Sequence, residues 1–197
     1  MSHHAATDAE LVAEVLAGRE AAFTALMRRH KTWLYLFVRR HVATSEDAYD
    51  VVQEAFTSAW SALKSYDRSR PFDIWLRRIA LNKCRDRGRR EAVRRRVLSL
   101  VGLAPEATEQ VADAAPGAET LRIGGEALAR LNAAITALPG KLREALVLTS
   151  LQGLSQREAA AVLGVTPKVV EMRAYRARRQ LAETLSPGDF EDLEQMG

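Results

Sequence analysis

The residues from Leu154 to Leu181 constrain the fold of this chain more than any other stretch. Ser155-Gln156-Arg157-Glu158 is a capping box, in which the serine side chain accepts from the Glu158 amide while the glutamate reaches back. Ala159, Ala160, Val162 and Leu163 extend this short helix, with small residues where another helix must approach closely. Gly164 stands where a left-handed residue ends a helix and turns the chain. Val165 is placed to plug that turn, Thr166 caps the next helix, and Pro167 takes its first position. Within the second helix Val170, Ala174, Ala177 and Leu181 recur at steps of 4, 3 and 4, which marks a buried face. These signals predict a helix-turn-helix. The plainer alternative, a helical hairpin inside an ordinary all-α domain, explains the periodicity but not the full run of caps, turn and basic face.

The opposite face of the second helix presents Lys168, Glu171, Met172, Tyr175, Arg176 and Arg179, flanked by Arg173 and Arg178. A helix entering the major groove by its N-terminus sets its first two turns on base edges and later basic residues near phosphates. Lys168, Glu171 and Met172 are therefore the candidate readers: lysine donates to guanine, glutamate accepts from cytosine, methionine touches a thymine methyl. Arg173, Arg176 and Arg179 suit phosphates, which fix register without reading sequence.

The rest of the chain is also helical in pattern. Leu11, Val12, Val15 and Leu16, then Phe23, Leu26 and Met27, predict a helix pair around Gly18, and another helix follows through Trp33–Val42. Thr44-Ser45-Glu46-Asp47 offers a capping-box-like start to a helix with an apolar stripe of Val51, Val52, Ala55, Phe56, Ala59, Trp60 and Leu63. The stretch 64–71 is turn-like, and a further helix runs from about Phe72 to Val97. From Leu98 to Gly125, Gly, Pro and acidic residues replace the periodic pattern, which predicts a flexible linker, although Val97–Leu103 could form a short helix. The expected architecture is all-α: two small helical domains at 8–97 and 126–185, joined by the linker 98–125, with an acidic tail at 186–197.

Charge is segregated along this plan. Residues 66–96 hold 12 basic and 4 acidic side chains, 97–140 hold 2 and 5, and 141–185 hold 8 and 4. Two basic blocks separated by an acidic stretch suggest two contacts with a polyanion, but a pair of solvated helix faces gives the same count. In the first block Phe72, Trp75, Leu76, Ile79 and Ala80 form a stripe, while Arg77, Arg78, Asn82, Arg85, Asp86 and Arg89 point elsewhere. Asn and Asp among arginines suit contacts to bases as well as phosphates. Tyr66, Phe72 and Trp75 could stack on unpaired bases; Phe72 and Trp75 fit the core better, and Tyr66 is open.

Asp50-Val-Val-Gln53-Glu54-Ala-Phe56 with Trp60 resembles region 2.2 of the sigma-70 family, and 72–90 resembles regions 2.3–2.4. Leu138-Pro139, Arg143–Leu148, Gly153–Ala160, Leu163–Val165 and Val170–Arg178 resemble region 4. With no segment before region 2 and no separate domain in the linker, the chain is similar to the extracytoplasmic-function group. That resemblance implies binding to core RNA polymerase, through the clamp helices of its largest subunit and its flap, and to promoter DNA. Asp50, Gln53 and Glu54 would face the clamp helices. The 64–71 loop, with Tyr66, would capture a flipped base of the −10 element. Arg77, Arg78, Asn82, Arg85, Asp86 and Arg89 would support the opened strand, and the 166–181 helix would read the −35 element. It also implies an anti-sigma factor and a cytoplasmic protein, held at the inner membrane if that factor is a membrane protein. Glu171-Met172 stands where many members have Lys-Ser, and Pro167-Lys168 replaces a commoner small or glycine-containing pair, so the usual −35 sequence of the group should not be assumed.

Other classes explain less. A sigma-like protein that sequesters a regulator would lose the basic face and the polymerase motif, and a stand-alone regulator leaves the first domain unexplained. An enzyme is disfavoured: His3, His4, His30 and His41 show no metal-ligand spacing with Cys84, and neither a glycine-rich phosphate loop nor a nucleophile–base pair stands out. No cofactor, metal or small-molecule substrate is expected.

Overall fold

The computed structural model describes residues 6–100 and 125–185, and these form two compact units. The described residues include eight α-helices and no strand. None of these helices is long and apolar enough to cross a membrane. The 101–124 part of the expected linker and the 186–197 tail lie outside the described residues.

The first unit contains α1 (Asp8–Leu16), α2 (Ala21–Arg39), α3 (Ser45–Ala62), a 3-10 turn at Leu63–Ser65, and α4 (Phe72–Leu100). α1 packs on α2, α2 on α3 and α3 on α4, with α2 also reaching α4. Leu26, Leu34, Phe37 and Val38 of α2, Val51, Ala55 and Phe56 of α3, and Leu76, Ala80 and Leu81 of α4 are buried and make the core. Each large aliphatic or aromatic side chain so placed contributes about 1.5–3 kcal/mol by leaving water. Thr7 and Glu10 form a reciprocal capping box at the start of α1. Thr44 caps α3 by accepting from the Asp47 amide at 3.0 Å. Asp47 turns its carboxylate to Arg87 of α4.

Two expectations change here. The helices expected around Phe23 and through Trp33–Val42 are one continuous helix, α2. The charged run Arg28-Arg29-His30-Lys31 interrupts the apolar pattern in sequence, yet His30 is buried at 5% exposure, four residues from Leu26 and from Leu34. Second, α4 runs on to Leu100, so Val97–Leu100 continue the long helix and do not start a short one.

The second unit contains α5 (Gly125–Ala137), α6 (Gly140–Leu146), a π turn at Val147–Leu151, α7 (Gln156–Leu163) and α8 (Pro167–Thr184). α8 is its hub, with α5, α6 and α7 all packed on it. Ile135, Leu138, Leu146, Val147 and Leu148 join Ala159, Ala160, Val162 and Leu163 of α7 in the core beneath α8.

Candidate nucleic-acid interface

In the second unit the turn between α7 and α8 is built as its sequence predicts. The Ser155 side chain accepts from the Glu158 amide at 3.2 Å, and the Ser155 amide donates to Glu158 Oε2 at 2.8 Å. Gly164 ends α7 in the left-handed region at φ 68°, ψ 38°. Its amide and that of Val165 both donate to the Ala160 carbonyl, at 2.9 and 3.2 Å. A residue with a Cβ is strained at that φ. Thr166 then caps α8 by accepting from the Val169 amide at 3.4 Å. Val170, Ala174, Ala177 and Leu181 point into the unit and are buried.

This burial fixes the rotation of α8 and so fixes what faces outward. Lys168, Glu171, Met172, Tyr175, Arg176, Arg178 and Arg179 are exposed, and Arg173 is half-buried. Met172 and Tyr175 show 41% and 60% of their surface to solvent, so both are open to contact from outside the unit. Lys168 Nζ pairs with Glu171 at 3.0 Å, and Arg179 Nε pairs with Glu183 at 2.9 Å. Both are exposed pairs within one helix, weak enough to exchange for a base or a phosphate. The two foremost candidate readers are thus linked: moving Lys168 to a base edge also releases the Glu171 carboxylate.

In the first unit α4 presents Arg78, Asn82 and Arg89 to solvent, with Arg85 and Asp86 half-buried. Arg85 Nη1 donates to Asn82 Oδ1 at 3.3 Å, and Arg89 pairs with Asp86. These residues recur at helical spacing and form one outward face.

Two residues expected on this face are not on it. Arg77 is buried at 8% exposure, its guanidinium paired with Asp73 and lying 4.2 Å over the ring of Trp33. It ties α4 to α2 and has no charge to offer a DNA strand. Tyr66 is also 8% exposed. Its hydroxyl donates to the Arg70 carbonyl, and its ring packs at 5.6 Å from Phe72 and 4.9 Å from Trp75, so no face is left for a base. Burial raises its phenol pKa, helped by Asp8, Asp67 and Asp73 nearby.

Tyr66 is instead the floor of the loop that contains it. Above it Lys64, Asp67, Arg68, Ser69 and Arg70 are exposed. Asp67 Oδ1 accepts from the Ser69 amide at 3.0 Å and from its hydroxyl at 2.7 Å, and these bonds hold the carboxyl below its ordinary pKa. Arg70 closes the loop on Asp67 at 3.1 Å. The loop is thus tied down before any ligand arrives.

Beneath it lies a cluster that the sequence pattern did not reveal. His30 Nε2 is 2.9 Å from Asp8 Oδ2, and Trp33 Nε1–H donates to His30 Nδ1 at 2.9 Å. Since Nδ1 accepts, Nε2 carries the proton and donates to Asp8: the imidazole is neutral. Burial lowers the His30 pKa, and the nearby Asp8 and Asp73 only partly offset this. The ring packs 5.2 Å from Phe72 and so supports the loop floor. The i+4 steps from Leu26 to His30 and from His30 to Leu34 were the available signal.

On α3, Asp50, Gln53 and Glu54 are all exposed and lie on one side of the helix. Arg87 of α4 reaches Asp50 at 3.4 Å and Lys83 reaches Glu54 at 3.9 Å, so this acidic face is partly balanced by its neighbour.

The family model described as Sigma-70 region 2 matches residues 26–94, and that described as Sigma-70, region 4 matches residues 128–181. The chain is 40% identical to RNA polymerase sigma factor CnrH of Cupriavidus metallidurans over 179 residues, 90% of this chain and 94% of that protein. It is 37% identical to ECF RNA polymerase sigma factor SigM of Mycobacterium tuberculosis over 183 residues, 92% of this chain and 86% of that one. The solved structure of CnrH in complex with the cytosolic domain of CnrY aligns with a TM-score of 0.63 at 36% identity, covering 89% of this chain and 95% of that chain.

Proposed function

The chain belongs to the extracytoplasmic-function group of the sigma-70 family, and from that membership we propose how its residues divide the work of promoter recognition. It is a sigma factor that binds core RNA polymerase and directs it to promoters. The exposed face of α8 carries the −35 assignment, and the single supporting observation is its rotation: Val170, Ala174, Ala177 and Leu181 are buried, so Lys168, Glu171 and Met172 lead outward. These three read base edges, with Arg173, Tyr175, Arg176 and Arg179 on the backbone.

The −10 contact falls to the 64–71 loop together with Arg78, Asn82, Arg85, Asp86 and Arg89. Flipping a base costs a few kcal/mol in lost stacking and pairing. A loop already tied by Asp67 and floored by Tyr66 spends little further entropy in holding the flipped base. Asp50, Gln53 and Glu54 meet the polymerase clamp helices. Two modest DNA contacts on domains 8–97 and 126–185 reinforce each other through effective concentration once both sit on one polymerase. The polymerase performs the chemistry, and the chain itself needs no cofactor.

CnrH has been solved with the cytosolic domain of CnrY. By analogy, an anti-sigma factor holds this chain inactive in the cytoplasm or, if membrane-anchored, at the inner membrane. The test is selection of random duplexes by holoenzyme reconstituted from core polymerase and this chain. Two sequence blocks at a fixed spacing are expected; a single block, or none, overturns the division of labour.

A further inference from the structure

Glu171 is out of keeping with the face it stands on. Between Pro167 and Ala182 it is the only acidic residue, among Lys168, Arg173, Arg176, Arg178 and Arg179. It is exposed, and it lies within the first two turns of α8, the part of a recognition helix that a major groove receives. Phosphates repel a carboxylate there, and the groove edges of guanine and the O4 of thymine offer it only acceptors. The amino groups of cytosine and adenine alone donate to it. In the free protein its partner is Lys168, whose Nζ stands 3.1 Å from Oε1 and 3.0 Å from Oε2.

This geometry leaves capacity on both members. An ammonium group has three N–H donors; two are turned to Glu171, so one is spare. A carboxylate accepts at about four sites, and Lys168 takes two of them. The joined pair thus presents a donor and an acceptor side by side, 3.0 Å apart. A G·C base pair presents the complement in the major groove: guanine O6 accepts, and cytosine N4 donates with the hydrogen that base pairing leaves over. Those two atoms share a hydrogen bond of their own, so they stand about 2.9 Å apart. Electrostatics favours keeping Lys168 and Glu171 together. A carboxylate released by Lys168 would enter the negative potential of the groove uncompensated, whereas the joined pair carries no net charge into it.

We propose that Lys168 and Glu171, still joined, read one and the same G·C base pair of the −35 element, Lys168 donating to guanine O6 and Glu171 accepting from cytosine N4. The reader has a direction, because Lys168 stands three residues nearer the start of α8. C·G and A·T offer the donor and the acceptor in the reversed order. T·A keeps the order but sets the thymine methyl beside O4, where guanine has its N7 acceptor, and the methyl crowds the ammonium group. A two-bond contact of this kind discriminates against a wrong base by about 5- to 150-fold. This inference rests on the −35 reading of α8 above and deepens it by naming the base pair and its orientation.

The test uses holoenzyme made from core polymerase and the full chain, with a promoter duplex recovered by selection and all its single base-pair substitutions across the −35 block. Affinities are measured for wild type, K168A, E171A, K168A/E171A and the exchanged variant K168E/E171K, which keeps both the net charge and an ion pair. Wild type should prefer G·C over its reverse at one position by about 5- to 150-fold. K168A and E171A should each lose that preference at this same position, and K168A/E171A should lose no more than either alone. K168E/E171K should favour C·G there, with preferences at the other positions unchanged. Relaxation of two different positions by the two single variants overturns the proposal, since it would mark two separate readers. So does the lack of any position with a G·C preference, or an exchanged variant that fails to reverse it. If wild type shows no preference at any −35 position, the −35 reading of α8 itself falls and takes this inference with it; in the other failures that reading stands.

Discussion

Replacing His30 with phenylalanine separates what the buried imidazole does by packing from what it does by hydrogen bonding. Phenylalanine keeps a ring against Phe72 but removes two bonds of 2.9 Å, stranding the Trp33 indole N–H and leaving the Asp8 carboxylate with its Arg29 pairing at 2.6 Å. Removing a bond so that a buried donor is stranded costs about 1–3 kcal/mol, and one to a charged acceptor is of similar size. H30F should therefore lose about 2–4 kcal/mol at neutral pH. At a slope near 2 kcal/mol/M, typical of a small domain, its urea midpoint falls by about 1–2 M. Trp33, Trp60 and Trp75, the chain's three tryptophans, all lie in the first unit, so their fluorescence follows that unit alone. The pH dependence adds a second check. The His30 pKa is lowered by burial, while Asp8 on α1, Arg29 on α2 and Asp73 on α4 act on it with opposing signs. The unfolded chain thus takes up the proton first, near 6.5. Native stability is unaffected by this group above that pH and declines as pH falls below it, by at most about 1.4 kcal/mol per pH unit, until the folded-state pKa is passed. H30F should lack this component. If wild type and H30F lose stability in parallel between pH 7 and 5, the neutral, doubly bonded imidazole is refuted.

The other predictions address the DNA faces and the turn. Glu171→Ala should change base preference at one −35 position, whereas Arg176→Ala should weaken binding on all −35 sequences alike; equal weakening on every variant duplex for both would remove the reader assignment. Gly164→Ala places a Cβ at φ 68° and should destabilise the second unit by about 1–2 kcal/mol, seen by circular dichroism, while the tryptophan transition of the first unit stays put. Arg77→Met should lower first-unit stability but leave the salt dependence of promoter binding unaltered, since Arg77 is buried on Trp33; a shallower salt slope would return it to the DNA surface.

What could be read from the sequence was mostly what local chemistry decides. Ser155 with Glu158, Gly164, Thr166 and Pro167 each specify their own backbone within a few residues, so the turn and the rotation of α8 followed directly. α2 was harder because His30 enters the core through Asp8, 22 residues earlier, and no periodicity scores a histidine as apolar. Arg77 misled for the same reason. Its pairing with Asp73 is local, but the ring that makes burial tolerable is Trp33, distant in sequence. Tyr66 sits in a loop, where exposure is the default, and only the aromatic neighbours Phe72 and Trp75 turn it inward. Long-range partners decide which charged and aromatic residues are spent on the fold; pattern alone then overcounts those left for DNA.

The most direct measurement is transcription itself. Core RNA polymerase is incubated with labelled nucleotides and a template carrying a promoter recovered by selection, with and without this chain. Labelled RNA of one defined length is expected only when the chain is present, and it should disappear when the −35 or the −10 block of the template is scrambled. RNA that is independent of the chain, or no RNA although the chain binds the polymerase, would contradict its role as a promoter-directing sigma factor.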